Sequence, residues 1–235
     1  MAITSQFIES SKKALSRIPL EPVEIDPSLK HIEAEGGTVD FEVYSAAKIE
    51  KVVICVIKLH ETGVDEQTVL VWPDDKHNFP ILWTNLTIVP GVMNVPICDF
   101  IPLMDIVVWP GYAEQYIQCA GDLKAKAFEA FGDTIMDKAL DMPTLTTHTF
   151  SPYRLVVRVT DDGVAIAPQV AQAYIEHYTG IWRQAEPVQE GSDRDFYLQK
   201  RAATRTLMKG NDPGYDLLIN VFGEHQTGRV FDLIF

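Results

Sequence analysis

The sequence has few cysteines and an excess of negative charge. Its three cysteines, Cys55, Cys98 and Cys119, lie far apart, without a CxxC pair or a histidine at ligand spacing. This pattern indicates neither a disulfide framework nor a zinc site and is typical of a reducing compartment. With 20 basic and 33 acidic side chains the formal net charge is −13, which disfavours a surface that binds nucleic-acid phosphates.

Sequence signals of several other protein classes are also absent. No apolar run approaches the roughly 18 residues that span a membrane. The N-terminal segment has neither the apolar core of a signal peptide nor the arginine-rich, acid-free composition of a transit peptide. The motifs GxGxxG, GxxxxGK(S/T), HExxH and GxSxG do not occur, which disfavours a nucleotide-dependent enzyme or a metalloenzyme. We therefore expect a cytoplasmic protein without a metal site or a membrane partner.

The length and composition fit one large folded domain. The chain has 235 residues, of which 46% are hydrophobic and 10% aromatic, and this is globular composition. No repeat, low-complexity tract or Gly/Ser-rich linker divides the chain. We therefore expect a single domain over residues 1–235.

Short runs rich in β-branched and aromatic residues predict a strand meander in the first half of the chain. Connections of about four to nine residues are too short for a crossover helix, so neighbouring strands should pair antiparallel. The predicted strands of the meander are Val39–Tyr44, Val52–Leu59, Thr68–Trp72, Ile81–Val89 and Val95–Leu103, and a later strand is predicted over Tyr153–Thr160.

Apolar residues at helical spacing predict helices at both ends of the chain. The first helix carries Phe7, Ile8, Ser11, Leu15 and Ile18 on one stripe. Later helices are predicted over Tyr112–Phe131, Pro168–Gln184, Asp195–Lys209, Pro213–Phe222 and Gly228–Ile234. One sheet with helices on both faces is the simplest arrangement of these elements. The predicted fold class is therefore α/β, a three-layer α/β/α sandwich around a central antiparallel sheet.

Four groups of short segments have an order and spacing typical of one enzyme family. The first group is Phe79-Pro80-Ile81-Leu82-Trp83-Thr84-Asn85-Leu86 with Asp99-Phe100-Ile101-Pro102-Leu103, which begins 14 residues after Asn85. The others are Phe150-Ser151-Pro152-Tyr153, then Asn211-Asp212-Pro213 with Phe222-Gly223-Glu224, and the closing Phe231-Asp232-Leu233-Ile234-Phe235. Along its whole length the sequence resembles the ferredoxin-dependent bilin reductases, such as phycocyanobilin and phytochromobilin synthases.

The resemblance implies a function as well as a fold. A linear tetrapyrrole, in the first place biliverdin IXα, would lie between the sheet and the C-terminal helices. Reduced ferredoxin would supply electrons one at a time, and the protein would hold no cofactor of its own. A looser similarity to red chlorophyll catabolite reductase, carried by Asp99, Asp105, Pro110, Tyr112 and Tyr116, leaves a chlorophyll-derived bilin as an alternative substrate. A bilin-binding protein without catalysis is the second alternative.

The resemblance also implies candidate catalytic residues. Asp212 matches a family carboxylate shortly before Phe-Gly-Glu, and Asn85 takes a strand position where many members carry a carboxylate. Thr68 stands where phycocyanobilin-forming members carry a histidine, which favours a two-electron reductase or an atypical branch. A buried carboxyl group can keep a proton near neutral pH and give it to a reduced bilin. We therefore expect Asp212 to donate a proton and Asn85 to orient the bilin through its amide.

Each of these residues also has a purely structural interpretation. Asp212 precedes Pro213, as the N-cap residue of a helix would. Asn85 could satisfy a cross-strand partner or mark a bulge. Asp99 is a secondary catalytic candidate, and strand alternation places it either in a paired core position or in the pocket.

The remaining candidates would bind the substrate or ferredoxin. The two bilin propionates need basic partners at the mouth of an apolar cleft, and Arg154 and Arg158 are predicted to share one strand face there. The other substrate-binding candidates are Ser151, Tyr153, Trp83, Trp72, Phe222 and Ile219, for which core packing is the alternative. Docking of an acidic ferredoxin needs a local basic patch. Its candidates are Lys200, Arg201, Arg205 and Lys209, with Lys12, Lys13 and Arg17 as a second group.

Overall fold

The protein is described by a computed structural model that covers residues 3–138 and 145–235. The strands are β1 (Glu21–Pro22), β2 (His31–Ala34), β3 (Gly37–Ala46), β4 (Ile49–Leu59), β5 (Val64–Pro73), β6 (Ile81–Val89), β7 (Met93–Ile101), β8 (Ile135–Asp137), β9 (Leu155–Val156) and β10 (Arg158–Val159). The α-helices are α1 (Ile3–Leu15), α2 (Pro27–Lys30), α3 (Pro110–Tyr112), α4 (Cys119–Phe131), α5 (Asp161–Val164), α6 (Ala167–Gln184), α7 (Ser192–Gly210), α8 (Tyr215–Phe222) and α9 (Glu224–Ile234).

The predicted meander is confirmed. Strands β3 to β7 pair antiparallel in the order of the chain, and the full path of the sheet is β1-β3-β4-β5-β6-β7-β10-β8, with β2 on β3 and β9 on β7. Gly63 adopts a φ of 67° in the turn between β4 and β5, which only glycine adopts without strain. Burial alternates along β3, whereas most residues of β5, β6 and β7 are buried on both faces, as expected for a sheet between two helical layers.

Several boundaries differ from the sequence predictions. The strand predicted over Tyr153–Thr160 is two short strands, β9 and β10, and its register shifts between Arg158 and Val159. The helix predicted over Tyr112–Phe131 contains a π-helical segment at Ala113–Ile117 between α3 and α4. Strands β1, β2 and β8 were not predicted because each has no more than four residues and no clear alternation.

Helices cover both faces of the sheet, which confirms the three-layer α/β/α prediction. On one face, α1 packs against α6, and Phe100 of β7 contacts Tyr174 and Tyr178 of α6. On the other face, α9 contacts β4, and Arg205 of α7 lies over Trp72 of β5. None of the helices in the described residues has the length and apolarity needed to cross a membrane.

The register places a polar row on the face below α8 and α9. Thr68 of β5 pairs with Cys55 of β4 on one side and with Asn85 of β6 on the other. Glu66 precedes Thr68 by two residues and pairs with Ile57 and Thr87. Because strand side chains alternate between faces, Glu66, Thr68 and Asn85 lie on the same side of the sheet.

Candidate active site

A cleft lies between this sheet face and the C-terminal helices. It encloses about 380 Å³, part of which is open to solvent. Its lining is mostly apolar with a few polar groups, as in binding sites for small organic ligands. The lining residues are Ile57, Glu66, Thr68, Leu70, Trp83, Asp212, Gly214, Leu218, Phe231, Ile234 and Phe235.

Two carboxyl groups, Glu66 and Asp212, line the cleft. Glu66 comes from β5, and Asp212 comes from the turn between α7 and α8. Burial and the neighbouring negative charge of Asp212 raise the pKa of Glu66. Burial also raises the pKa of Asp212, against one hydrogen bond that lowers it. Since two neighbouring carboxylates repel each other, the pair retains a proton closer to neutral pH than either group would in water.

The turn at Asp212 is not the predicted helix cap. Helix α8 begins at Tyr215, with Gly214 at the N-cap position, so Pro213 is not the first helical residue. Asp212 instead accepts a hydrogen bond from the Gly214 backbone N–H through Oδ1 at 2.8 Å. This is a local turn of the kind that Asp and Asn both form. The turn holds the Asp212 carboxyl group through Oδ1, and Oδ2 has no hydrogen-bond partner among the described residues.

A hydrogen-bond network holds Glu66 from below. The Asn85 side-chain amide donates from Nδ2 to Glu66 Oε1 at 3.0 Å and to Thr68 Oγ1 at 2.8 Å. The Thr68 hydroxyl in turn donates to the same Glu66 oxygen at 3.2 Å. Asn85 Oδ1 accepts from the Thr87 hydroxyl at 2.9 Å. The amide of Asn85 is therefore fully engaged with protein groups.

The structure thus gives Asn85 the role of a cross-strand partner. It is 2% exposed and is not among the residues that line the cleft. Contact between Asn85 and a bilin remains a prediction.

Glu66 was missed in the sequence. One signal was available: Glu66 is two residues from Thr68, so any strand that points Thr68 at the substrate points Glu66 there as well.

Asp99 occupies a second carboxyl site on the same sheet face. It is fully buried and accepts hydrogen bonds from Ser151 N at 2.8 Å, Ser151 Oγ at 2.5 Å and Phe100 N at 2.9 Å. Burial raises the pKa of Asp99 to about 6, although these hydrogen bonds act in the opposite direction. Both oxygens of Asp99 are bound by protein donors, which matches the paired core position of the two alternatives.

The aromatic and aliphatic candidates fall into two groups. Trp83 lines the cleft and packs its ring 5.3 Å from that of Phe150. Trp72 is completely buried below α7 and does not line the cleft. Tyr153 packs on α4, where a Cβ atom at Gly121 would lie 3.2 Å from its ring.

The two candidates on α8 lie beside the cleft. Phe222 packs over the start of β3, where a Cβ at Gly37 would come within 3.3 Å of it and within 2.5 Å of the Lys58 carbonyl oxygen. Ile219 is not a lining residue, but its neighbour Leu218 is. The sequence identified the correct helix but not its cleft-facing residue.

The single strand predicted to carry Arg154 and Arg158 is interrupted, because Arg154 precedes β9 and Arg158 begins β10. Their common strand face remains a prediction. The guanidinium of Arg154 lies 5.8 Å from the Phe150 ring centre. Burial raises the pKa of the nearby Asp99, and the charge of Arg154 opposes part of that increase. The guanidinium of Arg158 donates to the Val92 carbonyl in the turn between β6 and β7. Of the two, Arg154 lies on the side of the molecule that holds Trp83 and Phe150.

The basic residues of α7 are not a free patch. Arg201 and Arg205 both form ion pairs with Glu50 of β4, and the guanidinium of Arg205 lies 4.6 Å from the ring centre of Trp72. These two residues attach α7 to the sheet. The sequence pattern of charge did not reveal which side of α7 packs inward.

The other two candidates on α7 differ from each other. Lys209 forms an ion pair with Asp232 of α9. Lys200 forms no ion pair with another described residue, and its charge lowers the pKa of Asp105. In the second group, Lys12 is paired with Glu42 and Arg17 with Glu176. Within the described ranges, no cluster of three or more His, Cys, Asp or Glu side chains could hold a metal ion.

Comparison with known proteins confirms the resemblance read from the sequence. The sequence matches the model of the family "Ferredoxin-dependent bilin reductase" over residues 8–233. None of the curated proteins matches it. The structure is similar to the crystal structure of phytochromobilin synthase from tomato in complex with biliverdin, with a TM-score of 0.81 and 16% sequence identity over 98% of this chain and 81% of that chain. The shared fold and the family match over nearly the whole chain agree, and the protein belongs to the ferredoxin-dependent bilin reductase family.

Proposed function

We propose that this bilin reductase acts on biliverdin IXα, with electrons from reduced ferredoxin and protons from carboxyl groups in the cleft. The observation that carries the proposal is the position of Asp212, an ionisable carboxyl in the wall of an otherwise apolar cleft. Such a group retains a proton at a pH where an exposed aspartate has lost it.

The chemistry of the reduction explains why an acid is needed. Adding one electron to a conjugated tetrapyrrole makes the molecule more basic, so a proton must follow each electron before the radical reacts elsewhere. A positioned general acid speeds this step by about 10²–10⁴-fold. Asp212, held through Oδ1 by Gly214, is the residue to which we assign this role. Asn85 then acts indirectly, by holding Glu66.

Two further contacts belong to the proposal. Arg154 binds a bilin propionate, because it is the predicted arginine that lies near Trp83 and Phe150. Lys200 contributes to ferredoxin docking, since it is the candidate on α7 that forms no ion pair with a described residue, unlike Arg201, Arg205 and Lys209. A net charge of −13 repels an acidic partner at long range, so local cations must act at short range.

The test is an anaerobic assay with biliverdin, ferredoxin and a ferredoxin-reducing system. We expect the long-wavelength band of biliverdin to move with time, because reduction changes the conjugated system, and chromatography to show a reduced bilin. The reaction without ferredoxin is the control. Binding of biliverdin with no ferredoxin-dependent product would contradict the proposal in favour of a bilin-binding protein. Turnover of a chlorophyll-derived bilin alone would favour the alternative substrate.

A further inference from the structure

We propose that Glu66 shares one proton with Asp212, so that the two carboxyls act as a single acid in the bilin reduction proposed above. The sequence landmarks do not include Glu66. The inference rests on the proposed function for its chemical role. The shared proton itself is a property of the protein without substrate.

The carboxyl groups of Glu66 and Asp212 are each held by hydrogen bonds to one of their two oxygens. Both side-chain hydrogen bonds to Glu66 within the described residues, from Asn85 and Thr68, end on Oε1. The single hydrogen bond to Asp212, from Gly214, ends on Oδ1. Each carboxyl is therefore fixed through one oxygen, and its second oxygen has no hydrogen-bond donor among the described residues. Both side chains line the same cleft, so a proton on either free oxygen is available to a bilin there.

The groups around Glu66 and Asp212 favour a bound proton, and not a basic side chain, as the means of reducing the negative charge of the pair. From β4 the facing titratable group is the Cys55 thiol, whose pKa is raised by burial, Glu66, Asp40 and Asp212. From β6 the facing group is the neutral amide of Asn85, and α8 and α9 contribute only apolar lining residues. Within residues 3–138 and 145–235, no Lys, Arg or His forms an ion pair with Glu66 or Asp212. Two carboxylates without a cation repel each other, and a shared proton relieves that repulsion.

The pair fits the stoichiometry of the reaction. A reduced ferredoxin gives one electron, becoming oxidised, and the bilin becomes a radical anion. The O–H bond of the pair then breaks, a bond from hydrogen to the bilin forms, and the pair is left with two negative charges. Their repulsion favours recapture of a proton from solvent before the second electron arrives. Repetition adds two electrons and two protons and returns the pair to its starting state.

The first experiment measures the shared proton directly, in the protein without bilin. Infrared spectroscopy follows the C=O band of protonated carboxyls as the pH is raised. Difference spectra between the parent and Glu66→Gln isolate the pair from Asp99, whose pKa is also raised. Burial still raises the pKa of the carboxyl that remains in each variant, so we expect Glu66→Gln and Asp212→Asn each to move the loss of this band to lower pH than in the parent. Asp65→Asn is the matched control, since it removes a carboxyl from the opposite face of β5.

The second experiment links the proton to catalysis. Glu66→Gln removes the carboxylate whose repulsion of Asp212 is reciprocal to that of Asp212 on Glu66, although burial still raises the pKa of Asp212. The high-pH limit of kcat/KM should therefore move down by about one pH unit. At low pH, where Asp212 is protonated in both proteins, the rates should converge. A purely structural role of Glu66 would lower the rate equally at every pH.

The outcomes separate the two proposals. If Glu66→Gln leaves both the infrared titration and the pH profile as in the parent, the shared proton is wrong even though bilin reduction stands. If the parent reduces no bilin but both variants move the loss of the band to lower pH, the proton is shared and the proposed function fails. Should Glu66→Gln not fold, the infrared titration of Asp212→Asn decides, because loss of one partner must move the titration of the other to lower pH.

Discussion

Two carboxyl sites lie on the same face of the sheet, and they use their oxygens differently. At the first, Glu66 and Asp212 line the cleft, and each keeps one oxygen that no donor in the described part of the chain reaches. At the second, Asp99 is fully buried and accepts three hydrogen bonds, two of them from Ser151. Burial raises the pKa of the carboxyls at both sites.

The comparison shows that a raised pKa does not by itself identify a catalytic acid. Burial makes the proton of Asp99 as persistent as that of Asp212, but the Asp99 oxygens are occupied by Ser151 and Phe100. A proton donor needs both a raised pKa and an oxygen that can reach the substrate. We therefore assign proton transfer to the cleft pair and the attachment of the 150–153 segment to Asp99.

The largest expected effect is that of Asp212→Asn on turnover. Asn retains the turn to Gly214 but has no proton to give, so turnover should fall by about 10²-fold or more. Bilin should still bind, accept one electron and remain as a radical that electron paramagnetic resonance detects. If Asp212→Asn instead turns over like the parent and Asp212→Ala only lowers thermal stability, Asp212 is a turn residue and the assignment is wrong.

The next effect concerns Asp99 and the pH dependence of stability. Its folded pKa of about 6 lies above the unfolded value of 3.8, so the folded state binds its proton more tightly. Its contribution is therefore complete below pH 4 and is lost as the pH rises to about 6. About two pKa units correspond to about 3 kcal/mol of unfolding free energy. Urea unfolding of the parent and of Asp99→Asn across this pH range should show this difference. Parallel pH dependences would contradict it.

Ser151→Ala should have a smaller effect, and one on stability alone. It removes the hydroxyl that donates to Asp99 Oδ1, a hydrogen bond to an ionisable group worth about 1.5–3 kcal/mol. Turnover at saturating bilin should remain close to that of the parent, measured at a temperature where both are folded. Weaker bilin binding without a change in the urea midpoint would instead support the predicted substrate contact of Ser151.

The smallest effect is expected from Arg154→Ala on bilin affinity. Loss of a propionate partner should weaken biliverdin binding roughly tenfold, or about 1.5 kcal/mol, in a fluorescence titration. The dimethyl ester of biliverdin, which has no carboxylates, should bind both proteins equally. Arg158→Ala is the matched control, because Arg158 is held by Val92 at the turn between β6 and β7. Equal losses for the acid and the ester would show that Arg154 acts through packing.

The sheet could be predicted from the sequence because each of its main strands is indicated by a short stretch of neighbouring residues. Each strand of the meander has its own run of β-branched and aromatic residues and its own turn, so β3 to β7 follow from neighbouring residues. The site depends on contacts that no local pattern contains. Asn85 meets Glu66 only because β5 and β6 pair in one register, and Asp212 reaches the same cleft from a turn late in the chain. Asp212 was found through the family landmark, whereas Glu66 belongs to no landmark and was missed.

The docking surface was harder to predict for a related reason. Helix α7 carries basic residues at several angles around its axis, so its sequence does not show which of them face the protein. Arg201 and Arg205 face inward because Glu50 and the ring of Trp72 lie below them. Only the packing of α7 on the sheet separates these two from Lys200.

One wall of the cleft is the sheet, from the first half of the chain, and the other wall is formed by the C-terminal helices. We therefore expect the two walls to form at different stages of folding. The sheet wall consists of hairpins between strands that are adjacent in sequence, so its formation closes only short loops. The helical wall is attached to the sheet by contacts such as the hydrogen bond from Lys51 Nζ to the Leu233 carbonyl, which joins residues 182 positions apart. Such distant contacts form late during folding. A bilin bound in the cleft should therefore slow hydrogen exchange in α9 more than in β4 or β5.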